Sequence, residues 1–126
     1  MHTSVIYQQL KKSLNSYIEQ GNTVFTVALS GGVDSVVLLH LMRTLRADSP
    51  AIDVSAIYVH HGLSQYGDDW QRFCKNVCID LDVPFKAAKV VIEQQSRTSL
   101  EAQARDARYK ALDELSPQGS IVLLCQ

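Results

Sequence analysis

Residues 23–39 read Thr-Val-Phe-Thr-Val-Ala-Leu-Ser-Gly-Gly-Val-Asp-Ser-Val-Val-Leu-Leu, and this stretch decides the fold. Residues 23–29 are β-branched or apolar almost throughout, the pattern of a strand buried on both faces. Residues 36–42, Val-Val-Leu-Leu-His-Leu-Met, form a helix that is apolar over most of its circumference. Between them lies a short glycine-rich turn. Strand, turn and helix in this order place the turn's backbone amides at a helix N-terminus, where unpaired N–H groups and the helix dipole make an anion site, above all for phosphate. Gly31 and Gly32 let an anion approach the backbone closely, and Ser30 and Ser35 add hydroxyl donors.

Asp34 is the residue that a plain phosphate cradle does not need, because a carboxylate repels phosphate. It points to Mg²⁺ held between carboxylate and phosphate oxygens. Two competing motifs are excluded by inspection: no Gly-x-x-x-x-Gly-Lys-Ser/Thr loop is present, and Gly31-Gly32 lacks the third glycine of a dinucleotide fingerprint. The plain structural alternative is a tight turn with its helix cap at Asp34 or Ser35.

Outward from this unit the periodicity alternates. Residues 3–20 place Ile6, Leu10, Leu14 and Tyr17/Ile18 on one helical face and end at Gly21-Asn22, a helix stop. Residues 52–59 form a second extended run that ends at His60-His61-Gly62. Trp70, Phe73, Cys74, Val77, Cys78 and Leu81 recur at spacings of three and four, which predicts a helix with Asp68 and Asp69 in its first turn. Residues 85–92 are a third extended run. Thr98-Ser99-Leu100-Glu101 fits a capping box, and the helix it opens continues through Ala104, Ala107, Ala111, Leu112 and Leu115 to stop before Pro117. Residues 121–125 are again strand-like. Strands alternating with helices of this length give an α/β fold, an open parallel sheet with helices on both faces. Because ligands in such sheets lie beyond the carboxyl ends of strands, a sequence that stops at Gln126, straight after a strand, reads as a domain truncated at its C-terminal end.

The 126 residues suit one domain, with 46% of positions apolar and 20% charged. The net charge of −1 carries no electrostatic footprint for a nucleic acid. No stretch approaches the ~20 apolar residues of a membrane span, and residues 1–20 lack the order of a signal peptide. Three cysteines, Cys74, Cys78 and Cys125, are too few for a disulfide framework, so a cytoplasmic protein with free thiols is expected.

Three ordered motifs carry a family resemblance that spans nearly the whole chain. Ser30-Gly31-Gly32-Val33-Asp34-Ser35 resembles the Ser-Gly-Gly-x-Asp-Ser loop of the PP-loop ATP pyrophosphatases. Tyr58-Val59-His60-His61-Gly62-Leu63-Ser64 resembles the Val-x-His-Gly-Leu-Arg/Ser signature of tRNA(Ile)-lysidine synthetases. Glu101-Ala102-Gln103-Ala104-Arg105-Asp106-Ala107-Arg108-Tyr109 is similar to the Glu-x-x-Ala-Arg-x-x-Arg-Tyr helix of that family. The resemblance implies an adenine-nucleotide α-hydrolase-like (Rossmann-like) PP-loop domain over residues 1–126. It implies a ligase that activates carbon-2 of the wobble cytidine of isoleucine tRNA (CAU anticodon) with ATP and Mg²⁺, then joins free lysine to it to form lysidine. The site residues it implies are Ser30, Gly31, Gly32, Val33, Asp34, Ser35 and His60 on the nucleotide, Asp34 on the metal, and Asp34, Arg105 and Arg108 in catalysis. The family's His-x-x-Asp-Asp motif and its further tRNA-binding domains are not in these residues, so the 126 residues are expected to bind ATP without completing the ligation. The alternatives are a PP-loop tRNA modifier of the 2-thiolation type, which typically adds Cys-x-x-Cys pairs, and a non-catalytic nucleotide-binding module.

Other residues admit plainer readings. His60 and His61 either line the adenosine pocket or cap a loop. Arg105 and Arg108 either meet phosphates or support the helix surface, where Glu101 and Arg105 are spaced for pairing. Cys74 and Cys78 read as core. Lys86 and Lys89 read as solvated edge charges, and His40 as lying on a buried helix remote from any metal spacing.

Overall fold

A computed structural model describes residues 5–29, 33–60, 67–90 and 100–124. The elements are α1 (Val5–Glu19), β1 (Val24–Leu29), α2 (Val33–Asp48), β2 (Asp53–His60), α3 (Gly67–Asp80), β3 (Phe85–Lys89), α4 (Leu100–Leu115) and β4 (Ile121–Leu124). The four strands form one parallel sheet in the order β3-β2-β1-β4. The chain steps outward from β1 to β3 and then returns to the far side of β1. Right-handed crossovers in opposite directions put their helices on opposite faces, and the packing follows suit.

On one face Phe25, Val27 and Leu29 of β1 and Val54, Ala56 and Tyr58 of β2 pack with Tyr7, Leu14, Leu39, Met42, Leu45, Cys74 and Cys78 of α1, α2 and α3. On the other, Ala28, Ile57 and Val59 meet Ala111 and Leu112 of α4. The strand alternation of two thus sorts β1 and β2 between two unequal cores. A third polar level crosses the sheet on the α4 side: the fully buried Thr26 hydroxyl lies 3.3 Å from Ser55 Oγ and 3.4 Å from Ser120 Oγ.

The helices end by identifiable means. α1 stops at Gly21, whose φ of 94° lets the Asn22 N–H donate to the Tyr17 carbonyl at 2.9 Å. α3 stops at Asp82, a non-glycine residue at φ 55°, with the Val83 N–H donating to the Cys78 carbonyl at 2.8 Å. Arg46 of α2 reaches across to this corner and donates to the carbonyls of Leu81 and Asp82, each at 2.9 Å. Tyr7 of α1 donates to the Asp48 carboxylate at the end of α2.

Some expectations are corrected. The inward face of α1 is Tyr7, Leu10, Leu14 and Ile18, whereas Ile6 and Tyr17 are exposed. Tyr7 takes the inward place expected of Ile6 and bonds to Asp48 there. Phe73 is exposed and stacks on Trp70 with centroids 4.9 Å apart, rather than entering the core with Cys74 and Cys78. His40 is exposed on the outer side of α2. β3 is described to Lys89, and Lys86 and Lys89 lie exposed on this edge strand. Thr98, Ser99 and Cys125 fall outside the described residues. Among the described helices none is long and apolar enough to cross a membrane.

Candidate nucleotide edge

The reversal of strand order after β3 leaves a topological switch between β1 and β4, and open parallel sheets bind ligands in the crevice beyond the carboxyl ends of strands at such a point. β1 ends at Leu29 and α2 begins at Val33, so the glycine-rich turn joins strand to helix at this edge. Ser30, Gly31 and Gly32 lie outside the described residues. The helix begins at Val33, so Asp34 and Ser35 sit in its first turn. Val33 and Asp34 face outward, and Ser35 is wholly buried. A carboxylate in a helix's first turn is favoured by the dipole, which accounts for Asp34 in part. The same outward position leaves it able to share a Mg²⁺ with phosphate oxygens, since such sites commonly use one or two carboxylates. Among the described residues no group of three or more His, Cys, Asp or Glu side chains is arranged to hold a metal.

The arginines come from the other face. α4 runs back along the sheet, and Leu112 packs against the carboxyl-side half of β1 and β2. Arg108, one turn earlier, therefore lies nearer the edge where the turn lies, and Arg105 nearer still. Arg105 is exposed. Arg108 is half-buried, and its Nη2 is a buried donor with no hydrogen-bond partner. Leaving a buried charged donor unsatisfied costs about 1–3 kcal/mol or more. A guanidinium with a spare donor is chemically suited to an anionic group such as a polyphosphate.

His60 ends β2 at the same edge, but its ring turns inward. Nε2 lies 2.9 Å from Asp68 Oδ1 in the first turn of α3, and the side chain is nearly buried. Of the two readings open for this residue, the geometry places the imidazole in a contact that fastens the start of α3. His61 lies outside the described residues. With Asp68 and Asp69 both in its first turn, α3 has its positive end already met by its own carboxylates, unlike an anion site. Asp68 was legible only as a helix-start residue and Gly67 carried no signal, because the eight-residue separation of His60 and Asp68 matches no helical or strand period.

The two described cysteines, Cys74 and Cys78, lie in the core. Burial pushes the Cys74 thiol up to about 11 and the Cys78 thiol up to about 12, so both remain protonated and unreactive at neutral pH.

The chain matches the family model of the PP-loop domain over residues 2–126. It is 42% identical over 114 residues to the tRNA(Ile)-lysidine synthase of Nitrosomonas europaea, covering 90% of this chain and 24% of that protein. It is 38% identical over 122 residues to the tRNA(Ile)-lysidine synthase of Photobacterium profundum, covering 97% of this chain and 28% of that protein. The chain thus spans about a quarter of the length of these relatives. Among solved structures, the U34-tRNA thiolase NcsA from Methanococcus maripaludis with its 4Fe-4S cluster superposes with a TM-score of 0.69 at 18% identity, covering 94% of this chain and 43% of that one. That likeness establishes a shared fold.

Proposed function

The chain belongs to the PP-loop domain family, and on that premise we propose that it carries the ATP-binding part of a ligase making lysidine in isoleucine tRNA with the CAU anticodon. The observation that supports the reading is that β1 ends at Leu29 and α2 begins at Val33, with Asp34 and Ser35 in its first turn, beside the switch point of the sheet. Ser30, Gly31, Gly32, Val33, Asp34 and Ser35 hold the phosphates of ATP, with Asp34 on Mg²⁺. Arg108, with its unmatched buried donor, and Arg105 approach from the α4 side and oppose negative charge as pyrophosphate departs. His60 closes the neighbouring strand. When bound, Mg·ATP supplies the adenylyl group that turns the carbon-2 oxygen of the wobble cytidine into a leaving group; the ε-amine of free lysine then displaces AMP. The names of the relatives support this tRNA substrate.

Calorimetric titration tests the nucleotide part. The chain should bind Mg·ATP, and Asp34→Ala and Gly32→Val should each weaken binding at least about tenfold, the loss of a charge-assisted contact or of backbone approach. Unchanged binding in both variants would refute the loop assignment. The tRNA part is tested by labelled lysine: the full-length protein should transfer it to the CAU-anticodon isoleucine tRNA only with ATP present.

A further inference from the structure

At the carboxyl edge of the sheet, the end of β2 and the start of α3 are joined through the His60 side chain and two residues, Gly67 and Asp68, to which the nucleotide reading gives no part. The His60 ring is seated on Gly67: a Cβ at that glycine would stand 2.5 Å from Cε1 and 2.7 Å from Nε2 of the imidazole. Any residue but glycine there displaces the ring. Asp68, the next residue, holds Nε2 at 2.9 Å. On the strand side the His60 carbonyl accepts the Val90 N–H at 2.9 Å, so β3 fixes the main chain while α3 fixes the side chain.

Asp68 is itself 78% exposed and adds nothing to core burial. The helix dipole does not single it out either, because Asp69 supplies an acid to the same turn and pairs instead with Arg72 at 2.8 Å. Its particular contact is His60. That contact lies in a consequential place: Leu29, the last residue of β1, is paired with Tyr58, so His60 stands two residues beyond the point where β1 gives way to the 30–35 turn.

We propose that Gly67 and Asp68 are positioning residues for the nucleotide edge: by seating the His60 imidazole they fix the end of β2, which runs beside β1 up to its last residue, Leu29. The proposal rests on the ATP reading above. It gives His60 a role through its place and its main chain, with the imidazole serving as the fastening.

The test is Mg·ATP titration of the 126-residue chain and its variants, with melting temperatures measured alongside. Asp68→Ala should weaken ATP binding by roughly five- to tenfold, as expected for losing one hydrogen bond that organises a site. Asp68→Asn, which keeps an oxygen acceptor for Nε2–H, should restore most of the affinity. Both should melt within a few degrees of the unsubstituted chain, because Asp68 is exposed. Gly67→Ala should lose affinity more severely, and Asp68→Ala decides the matter where Gly67→Ala folds poorly. Binding unchanged in Asp68→Ala but lost in Asp34→Ala overturns this proposal alone. Equal losses in Asp68→Ala and Asp68→Asn, or a loss matched by a large fall in melting temperature, also overturn it. Absence of ATP binding by the unsubstituted chain brings down the nucleotide reading and this proposal with it.

Discussion

Cys78 and Cys74 show how one residue's surroundings set its chemistry. Both thiols are wholly buried on α3, and desolvation, the larger cause for each, raises them from 9.0 to about 12 and about 11, with the neighbouring Cys74 adding to the rise at Cys78. The Tyr7 hydroxyl is likewise raised from 10.0 to about 12 by burial and then by its bond to Asp48. In each case folding favours the protonated form. The unfolded chain releases these protons first, so stability is fully present below pH 9, falls as pH rises from about 9 to about 12, and is lost beyond the folded values. Thermal melts across that range should show a steady decline, and Cys78→Ala should flatten its slope by about one proton's worth. An unaltered slope would show that these groups do not report on folding. Asp34 teaches the reverse lesson: its residue type was readable as the odd member of a phosphate turn, but its place inside the first turn of α2 came only with the helix boundary.

At the scale of the element, the helix ends are the informative parts. Gly21 was visible in the sequence as a stop, and its positive φ confirms why glycine serves there. The end of α3 carries no such signal, since Asp82 adopts the left-handed conformation without being glycine. That corner is held from outside by Arg46, whose guanidinium donates to two carbonyls that α3 itself cannot satisfy. Arg46→Ala should therefore destabilise the chain by about 1–2 kcal/mol in urea unfolding, with Arg46→Lys recovering only part, because an ammonium cannot reproduce the planar two-point contact. A cost near zero would assign the corner's stability to the Val83–Cys78 hydrogen bond alone. On α1 the apolar spacing locates the helix and its Leu10, Leu14 and Ile18 face, but not, in place of Ile6, Tyr7, whose inward partner Asp48 lies forty-one residues away.

Across the whole molecule the two faces of the sheet are unequally covered. α2 buries Ser35, Val36, Leu39, Met42 and Leu45, whereas the described side chains of α4 bury only Ala111 and Leu112. Local stability follows buried apolar contact. Native-state hydrogen exchange should find the α4 amides opening at lower free energy than those of α2 and β1, and saturating Mg·ATP should protect α4 if Arg108 closes on the phosphates. Equal protection in the two helices would mean that the smaller core carries more than its contacts suggest. The asymmetry also bears on the proposed chemistry, since the arginines would then ride on the less firmly held side of the site.

The strand, glycine turn and helix of residues 23–42, the alternation that makes the sheet parallel, and the ordered motifs of the family were all written in local pattern, because period and turn chemistry act over a few residues. What the pattern could not contain was which side chains meet across elements. The seat of His60 on Gly67, the bond to Asp68 and the Arg46 grip on the end of α3 each join residues at separations with no period. Those contacts exist only once β2 lies beside β1 and α2 and α3 pack on the same face of the sheet, an arrangement made by burial across elements rather than by any one segment.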